Sequence, residues 1–142
     1  MIYQVTALAI LAVFYGCYFM KMLMQQRKGI RTDQIGQGKV GFVKFVEVTM
    51  KIATLLVPAA EVISILLNTT CFLAPFRICG AVIGALGAAV FVTSVVTMRD
   101  SWRAGVSKTD KTELVTNGIY QISRNPAFLG FDLVYIGILL MF

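Results

Sequence analysis

Phe76-Arg-Ile-Cys-Gly-Ala-Val-Ile-Gly-Ala-Leu-Gly-Ala-Ala-Val-Phe-Val-Thr-Ser-Val-Val-Thr-Met98 carries a single charge, at Arg77 next to its start. A helix of this length reaches roughly 34 Å at about 1.5 Å per residue, enough to cross a hydrocarbon core of roughly 30 Å. Gly80, Gly84 and Ala88 recur every fourth residue, so small side chains share one face and a second helix can approach closely. The stretch therefore reads as a transmembrane helix packed against a neighbour. Its glycines lack the Gly-x-Gly-x-x-Gly spacing of a dinucleotide-binding turn.

Composition extends this reading to the whole chain. With 58% hydrophobic and only 14% charged residues, the 142-residue protein is far more apolar than a soluble domain. The expected fold class is all-α: a polytopic transmembrane helical bundle with three full spans and a short fourth. Residues 1–142 read as one domain, without solenoid-length repeats or low-complexity tracts.

Upstream, Met1 to about Met24 is interrupted only by Gln4, Thr6 and Lys21 and forms the first expected span. A signal peptide would carry its basic residues before the apolar run; here they follow it. Gln25 to Lys44 is a basic loop holding Arg27, Lys28, Arg31, Lys39 and Lys44 against Asp33, and the positive-inside rule puts it in the cytoplasm. Gly36-Gln-Gly-Lys-Val-Gly41 within it lacks the spacing and hydroxyl of a phosphate loop. The second span is expected from about Phe45 to Leu67, with Glu47 and Lys51 in favourable helical pairing order. Glu61, three residues after a helix-kinking Pro58, is costly at membrane depth. Two readings stay open for it: a line to a polar cavity, or an interhelical hydrogen-bonding group near the outer interface.

Asn68-Thr-Thr-Cys71 reads as a short outer turn. Cys17, Cys71 and Cys79 have neither metal-ligand nor disulfide spacing and are expected to pack as small apolar groups. Arg99 to Arg124 is a second basic loop, so both basic loops, 25–44 and 99–124, are expected in the cytoplasm with the N-terminus outside. The net charge of +6 sits largely in these loops and suits topology and anionic lipid, with no nucleic-acid partner implied. Trp102 suits an interfacial anchor and could also wall a cofactor site.

The polar chemistry concentrates in Glu113-Leu-Val-Thr-Asn-Gly-Ile-Tyr-Gln-Ile-Ser-Arg-Asn-Pro-Ala-Phe-Leu-Gly130. Asn117-Gly118 predicts a turn with positive φ. Asn125-Pro126 predicts the start of the final helix, Asn as cap and Pro in the first turn. Arg124, Tyr120 and Phe128 would then gather at one membrane surface, where a ligand with charged and apolar parts could be held. Asp132, one turn after Phe128, could meet Arg124 or point into a cavity.

Leu114-Val-Thr-Asn-Gly-Ile-Tyr120 and Ser123-Arg-Asn-Pro-Ala-Phe-Leu-Gly130 resemble the cofactor segment of the isoprenylcysteine carboxyl methyltransferase family, related to the phospholipid methyltransferases. That family's pattern is roughly Leu-Val-x-x-Gly-x-Tyr followed by Arg-His-Pro-x-Tyr-x-Gly; here Asn125 replaces the His and Phe128 the Tyr. The resemblance covers about eighteen residues, with looser support from Ser101-Trp-Arg-Ala-Gly105. It implies S-adenosylmethionine as cofactor, contacted by Thr112, Glu113, Leu114 and Val115, then Tyr120, then Asn125, Pro126, Ala127 and Phe128. The implied activity is methyl transfer to a lipid-linked or amphipathic acceptor in the bilayer. Asn125 can donate one hydrogen bond as His would but cannot carry a positive charge.

The absence of His excludes His-based triads and the common zinc sets. Methyl transfer to a carboxylate fits such a chain, because the nucleophile is already ionised and the enzyme has mainly to align reactants and exclude water. An amine or thiol acceptor would want a base, for which Glu61 and Asp132 are the buried candidates. Catalytic residues are not identified. From Phe128 to Phe142 the chain offers about 22 Å of helix, short of a full span. The resembling family has a further segment after it, so the sequence is expected to lack the C-terminal part of that domain; a second copy of the chain could supply the missing partner. A non-catalytic truncated membrane scaffold, or a sterol-reductase-like membrane oxidoreductase, are the alternatives.

Overall fold

The computed structural model describes residues 1–30, 40–102 and 115–142. They form four helices: α1 (Ile2–Arg27), α2 (Phe42–Leu67), α3 (Ala74–Met98) and α4 (Pro126–Met141), with short 3-10 turns at Arg99–Ser101 and Gly118–Gln121. The first three are long and apolar enough to cross a membrane; α4 is apolar but shorter. The protein is therefore an integral membrane, all-helical bundle. Each helix extends past its expected apolar boundary by up to three residues, because intrahelical hydrogen bonding continues after hydrophobicity ends.

The fold is built on the α3–α4 pair, its most extensive helix contact. Gly80, Gly84 and Gly87 of α3 face Gly130 and Gly137 of α4 so closely that the backbones touch. A Cβ on Gly80 would lie 2.5 Å from the Gly137 carbonyl oxygen, and one on Gly130 would lie 2.8 Å from the Phe91 nitrogen. In lipid, where no hydrophobic force separates helix from tail, such close packing supplies the association energy. The small-residue face expected on α3 is thus a packing face, and its partner is the short fourth helix.

α1 closes over this pair with an aromatic core. Phe14 is fully buried, its ring 4.5 Å from Phe91 and 4.6 Å from Phe131, the latter edge to face. Trp102 lies against Tyr18 at 5.6 Å and Phe91 at 6.1 Å, and is only 3% exposed. This corrects the interfacial-anchor expectation: Trp102 is a core residue that pins the first residues after α3.

The two ends of the bundle are clamped differently. At one end the Arg77 Nε donates to the Met141 carbonyl at 2.7 Å, and the guanidinium lies 4.1 Å from the Tyr3 ring centroid and 5.4 Å from that of Phe142. A cation here satisfies a carbonyl in the last turn of α4 and complements its dipole. At the opposite end buried Gln25 donates to the Trp102 carbonyl at 2.9 Å, while Lys28 meets Asp100 at 2.7 Å. That exposed ion pair contributes less than about 1 kcal/mol.

α2 is peripheral. Its helix runs continuously through Pro58, and its buried residues are Glu61 and Ile65, near its C-terminal end. Gln4 Nε2 donates to the Ile65 carbonyl at 2.8 Å, and Asn68 ends the helix in the left-handed region at φ 50°. Most apolar side chains in the rest of α2 are left exposed by the described residues. The three cysteines are free; Cys17 is half-buried and Cys71 and Cys79 are exposed, so the last two do not pack as expected.

Candidate functional site

The segment Val115–Phe128 folds against the Trp102 end of α3. Gly118 takes φ +60°, as its Asn-Gly context predicts, and a Cβ added there would stand 3.6 Å from Thr97 Cγ2. The turn delivers Tyr120 onto α3, where its hydroxyl donates to the Ser94 carbonyl at a long 3.5 Å. Burial pushes the Tyr120 hydroxyl above its ordinary value, so it remains a neutral donor at physiological pH.

α4 opens at Pro126, with Asn125 in the cap position. The Asn125 side chain makes no capping hydrogen bond, which corrects the expectation drawn from its residue type. Its backbone N–H is instead directed at Ser123 Oγ, 3.3 Å away. A first turn without a side-chain cap leaves the N–H groups of Ala127 and Phe128 available to an anion, with the positive end of the helix dipole behind them. Pro126 is buried, Ala127 half-buried, and Arg124, Asn125 and Phe128 are exposed. Val115 is half-buried at the start of the segment. Thr112, Glu113 and Leu114 lie outside the described residues, as do positions 31–39 of the first basic loop.

Tyr120, Asn125, Pro126, Ala127 and Phe128 therefore share one short stretch at one end of the bundle. Arg124 does not join them through a ring: the guanidinium–ring contacts among the described residues belong to Arg77. Asp132 is exposed and makes no ion pair with Arg124. The expected pairing of Asp132 with Arg124 is not realised among the described residues.

A second polar group lies within the bundle. The Tyr15 and Tyr135 hydroxyls share a hydrogen bond of 2.9 Å across α1 and α4. Glu61 of α2 is 9% exposed, lies within electrostatic reach of both hydroxyls, and buries its Oε2 without a hydrogen-bond partner. The interhelical hydrogen bond expected of Glu61 is supplied one turn away by Gln4.

Gln4 and Gln25, which mark the Ile65 and Trp102 levels, stand 21 residues apart on α1, about 31 Å along its axis. Glu61 lies one turn from Ile65, and no hydrogen bond or ion pair among the described residues joins it to Tyr120 or to the start of α4. The Gln25–Trp102 clamp and the tyrosine pair were not foreseen from residue type; a polar residue recurring inside an apolar run is the signal that marks both.

No protein-family model matches this chain, and neither a curated protein nor a solved structure is significantly similar to it.

Proposed function

We propose that the chain is an S-adenosylmethionine-dependent membrane methyltransferase of the isoprenylcysteine carboxyl methyltransferase type, with its cofactor site at the Val115–Phe128 segment. The observation that carries this reading is the uncapped start of α4, set beside a half-buried Tyr120 in the segment whose sequence resembles that family. In this reading the basic loops face the cytoplasm and the N-terminus lies outside.

The residues present fit the cofactor. The Ala127 and Phe128 N–H groups suit its carboxylate, and Asn125 offers an uncommitted amide. The Phe128 and Tyr120 rings offer π-faces to a sulfonium. Held there, S-adenosylmethionine would supply an electrophilic methyl group for an acceptor oxygen, with a neutral thioether as the leaving group. An ionised carboxylate acceptor requires no protein base. The protein's part is alignment and the exclusion of water, and the exposed Phe128 gives an amphipathic acceptor an apolar approach from the bilayer.

Binding of S-adenosylmethionine to the detergent-purified protein, measured by isothermal titration calorimetry, tests this. Asn125→Ala, which removes a polar contact, and Tyr120→Leu, which removes the ring, should each weaken binding by about tenfold. The Asn125 side chain makes no helix cap, so a loss there reports on ligand and not on folding. No saturable binding, or unchanged affinity in both variants, would overturn the reading and leave a helical scaffold.

A further inference from the structure

We propose that Lys21, Lys28 and Arg99 form a site for the phosphate of an anionic phospholipid, at the end of the bundle where α1 stops and α3 stops. This inference is independent of the cofactor reading.

Helix length sets the depth of these residues. Lys21 follows Ile2 by nineteen residues, about 28 Å along α1, and Lys28 lies about 10 Å further. On α3 and its cap, Arg99 follows Arg77 by twenty-two residues, about 33 Å. Both distances match a hydrocarbon core of roughly 30 Å. Tyr3 and Arg77 are in contact at one boundary, so Lys21 and Arg99 lie at the other, the level of the lipid phosphates.

The charges at this level do not balance. Lys21 Nζ is 3.9 Å from Asp100 Oδ1 and Lys28 Nζ is 2.7 Å from Oδ2, so two ammonium groups of α1 share one carboxylate. Arg99 is exposed, adjoins Asp100 in the chain and makes no ion pair among the described residues. Three positive charges thus meet one carboxylate. The cluster is also open, with the Lys28 and Asp100 side chains 54% and 53% exposed. An ion pair so hydrated is weak, and it yields an ammonium to a competing phosphate oxygen at little cost.

The neighbouring surface fits a lipid better than a free anion. Met20, Leu23 and Met24 on α1 and Val96 on α3 are exposed, and each lies within about a turn of a basic group. Acyl chains can therefore lie on apolar side chains while the phosphate stays with the cations. The excess of positive charge selects lipids with net negative charge, because a zwitterionic head group brings its own ammonium.

Native mass spectrometry of the full chain tests this. The protein is released from maltoside micelles holding equal amounts of phosphatidylglycerol and phosphatidylcholine with the same acyl chains. Phosphatidylglycerol should be retained at least about fivefold more often. Lys21→Gln with Lys28→Gln should abolish the preference and Arg99→Gln should weaken it. Lys44→Gln with Lys51→Gln, an equal loss of charge on α2, should keep it. Asp100→Asn supplies a measurement that misfolding cannot mimic. It releases both ammonium groups and leaves the Gln25 bonds to the Asp100 and Trp102 carbonyls in place, so phosphatidylglycerol retention should rise. Excess inorganic phosphate should not displace the lipid. No preference in the wild type, an unchanged preference in Arg99→Gln, equal loss in the two double variants, no gain in Asp100→Asn, or displacement by inorganic phosphate overturns the proposal.

Discussion

Gly137 of α4 is seated on the backbone of Gly84 of α3: a Cβ added to Gly137 would stand 2.5 Å from the Gly84 Cα and 2.7 Å from the Gly80 carbonyl oxygen. The relationship is asymmetric. A Cβ added to Gly84 would meet the Ile10 Cδ1 at 3.3 Å, the Gly137 Cα at 3.7 Å and the Ile10 Cγ2 at 3.8 Å, none of them closer than a flexible side chain can yield. Backbone cannot yield as a flexible side-chain end can, so the two substitutions should differ sharply. Gly137→Ala should destabilise the bundle by about 1–3 kcal/mol, the usual range for overpacking. Gly84→Ala should be close to neutral, and Gly16→Ala, which enters open space, serves as the control. Thermal unfolding in detergent distinguishes them, and equal losses at positions 84 and 137 would show that α4 does not pack in this register.

Gln25 marks a second dependence, between the end of α1 and the residues after α3. It is fully buried and donates to the Trp102 carbonyl at 2.9 Å. Gln25→Leu keeps the volume but strands that carbonyl, at a cost of about 1–3 kcal/mol. Because Trp102 is the chain's single tryptophan, its emission reports the change directly. A red shift toward the emission of exposed indole is expected; unchanged emission would mean that packing on Tyr18 and Phe91 alone holds Trp102.

These contacts show where the sequence could be read and where it could not. Hydrophobic run length located three spans, and Asn117-Gly118 and Asn125-Pro126 located a turn and a helix start, because each signal is local. Gly130 and Gly137 carried no such signal: seven residues apart, they acquire meaning only against Gly80, Gly84 and Gly87 on another helix. Trp102 suits a membrane interface and a core equally well by composition, and only the Gln25 clamp and two ring contacts decide for the core. The candidate cofactor segment was legible as a motif, but its uncapped helix start was not, since Asn ordinarily caps. Asp132 likewise shares a face with Phe128 in sequence, yet the bundle turns it outward.

Tyr120 gives a prediction in pH. Burial raises its folded pKa above the unfolded value of about 10. Below about pH 10 both states hold the proton and its contribution to stability is complete; as pH rises through the folded value, the unfolded state gains by ionising first. Stability should therefore fall above about pH 10, and Tyr120→Phe should fall less steeply because the titrating proton is gone. The comparison needs melting temperatures of both proteins between about pH 9 and 11.5, with all other groups held in common. Parallel curves would mean that the hydroxyl is as hydrated in the folded protein as in the unfolded chain.

Arg77 should be the least replaceable residue at its end of the bundle. Its Nε satisfies the Met141 carbonyl at 2.7 Å while its plane lies over Tyr3 at 4.1 Å, so one side chain joins α1, α3 and the last turn of α4. Lysine retains the charge but not the planar group that stacks and donates at once. Arg77→Lys should therefore recover only part of the stability lost in Arg77→Ala, which combines a stranded carbonyl with a lost cation–π contact, together about 2–4 kcal/mol. Tyr3→Leu removes the ring alone and should cost about 0.5–1 kcal/mol. The double variant Arg77→Ala with Tyr3→Leu then measures the coupling: the two losses should combine to less than their sum, because the contact they share can be lost only once. Hydrogen exchange at the Met141 and Phe142 amides gives the structural readout, with faster exchange expected in Arg77→Ala than in Tyr3→Leu. Full additivity, with unchanged exchange at those amides, would show that α4 is held by its glycine contacts alone and that the arginine is incidental to its end.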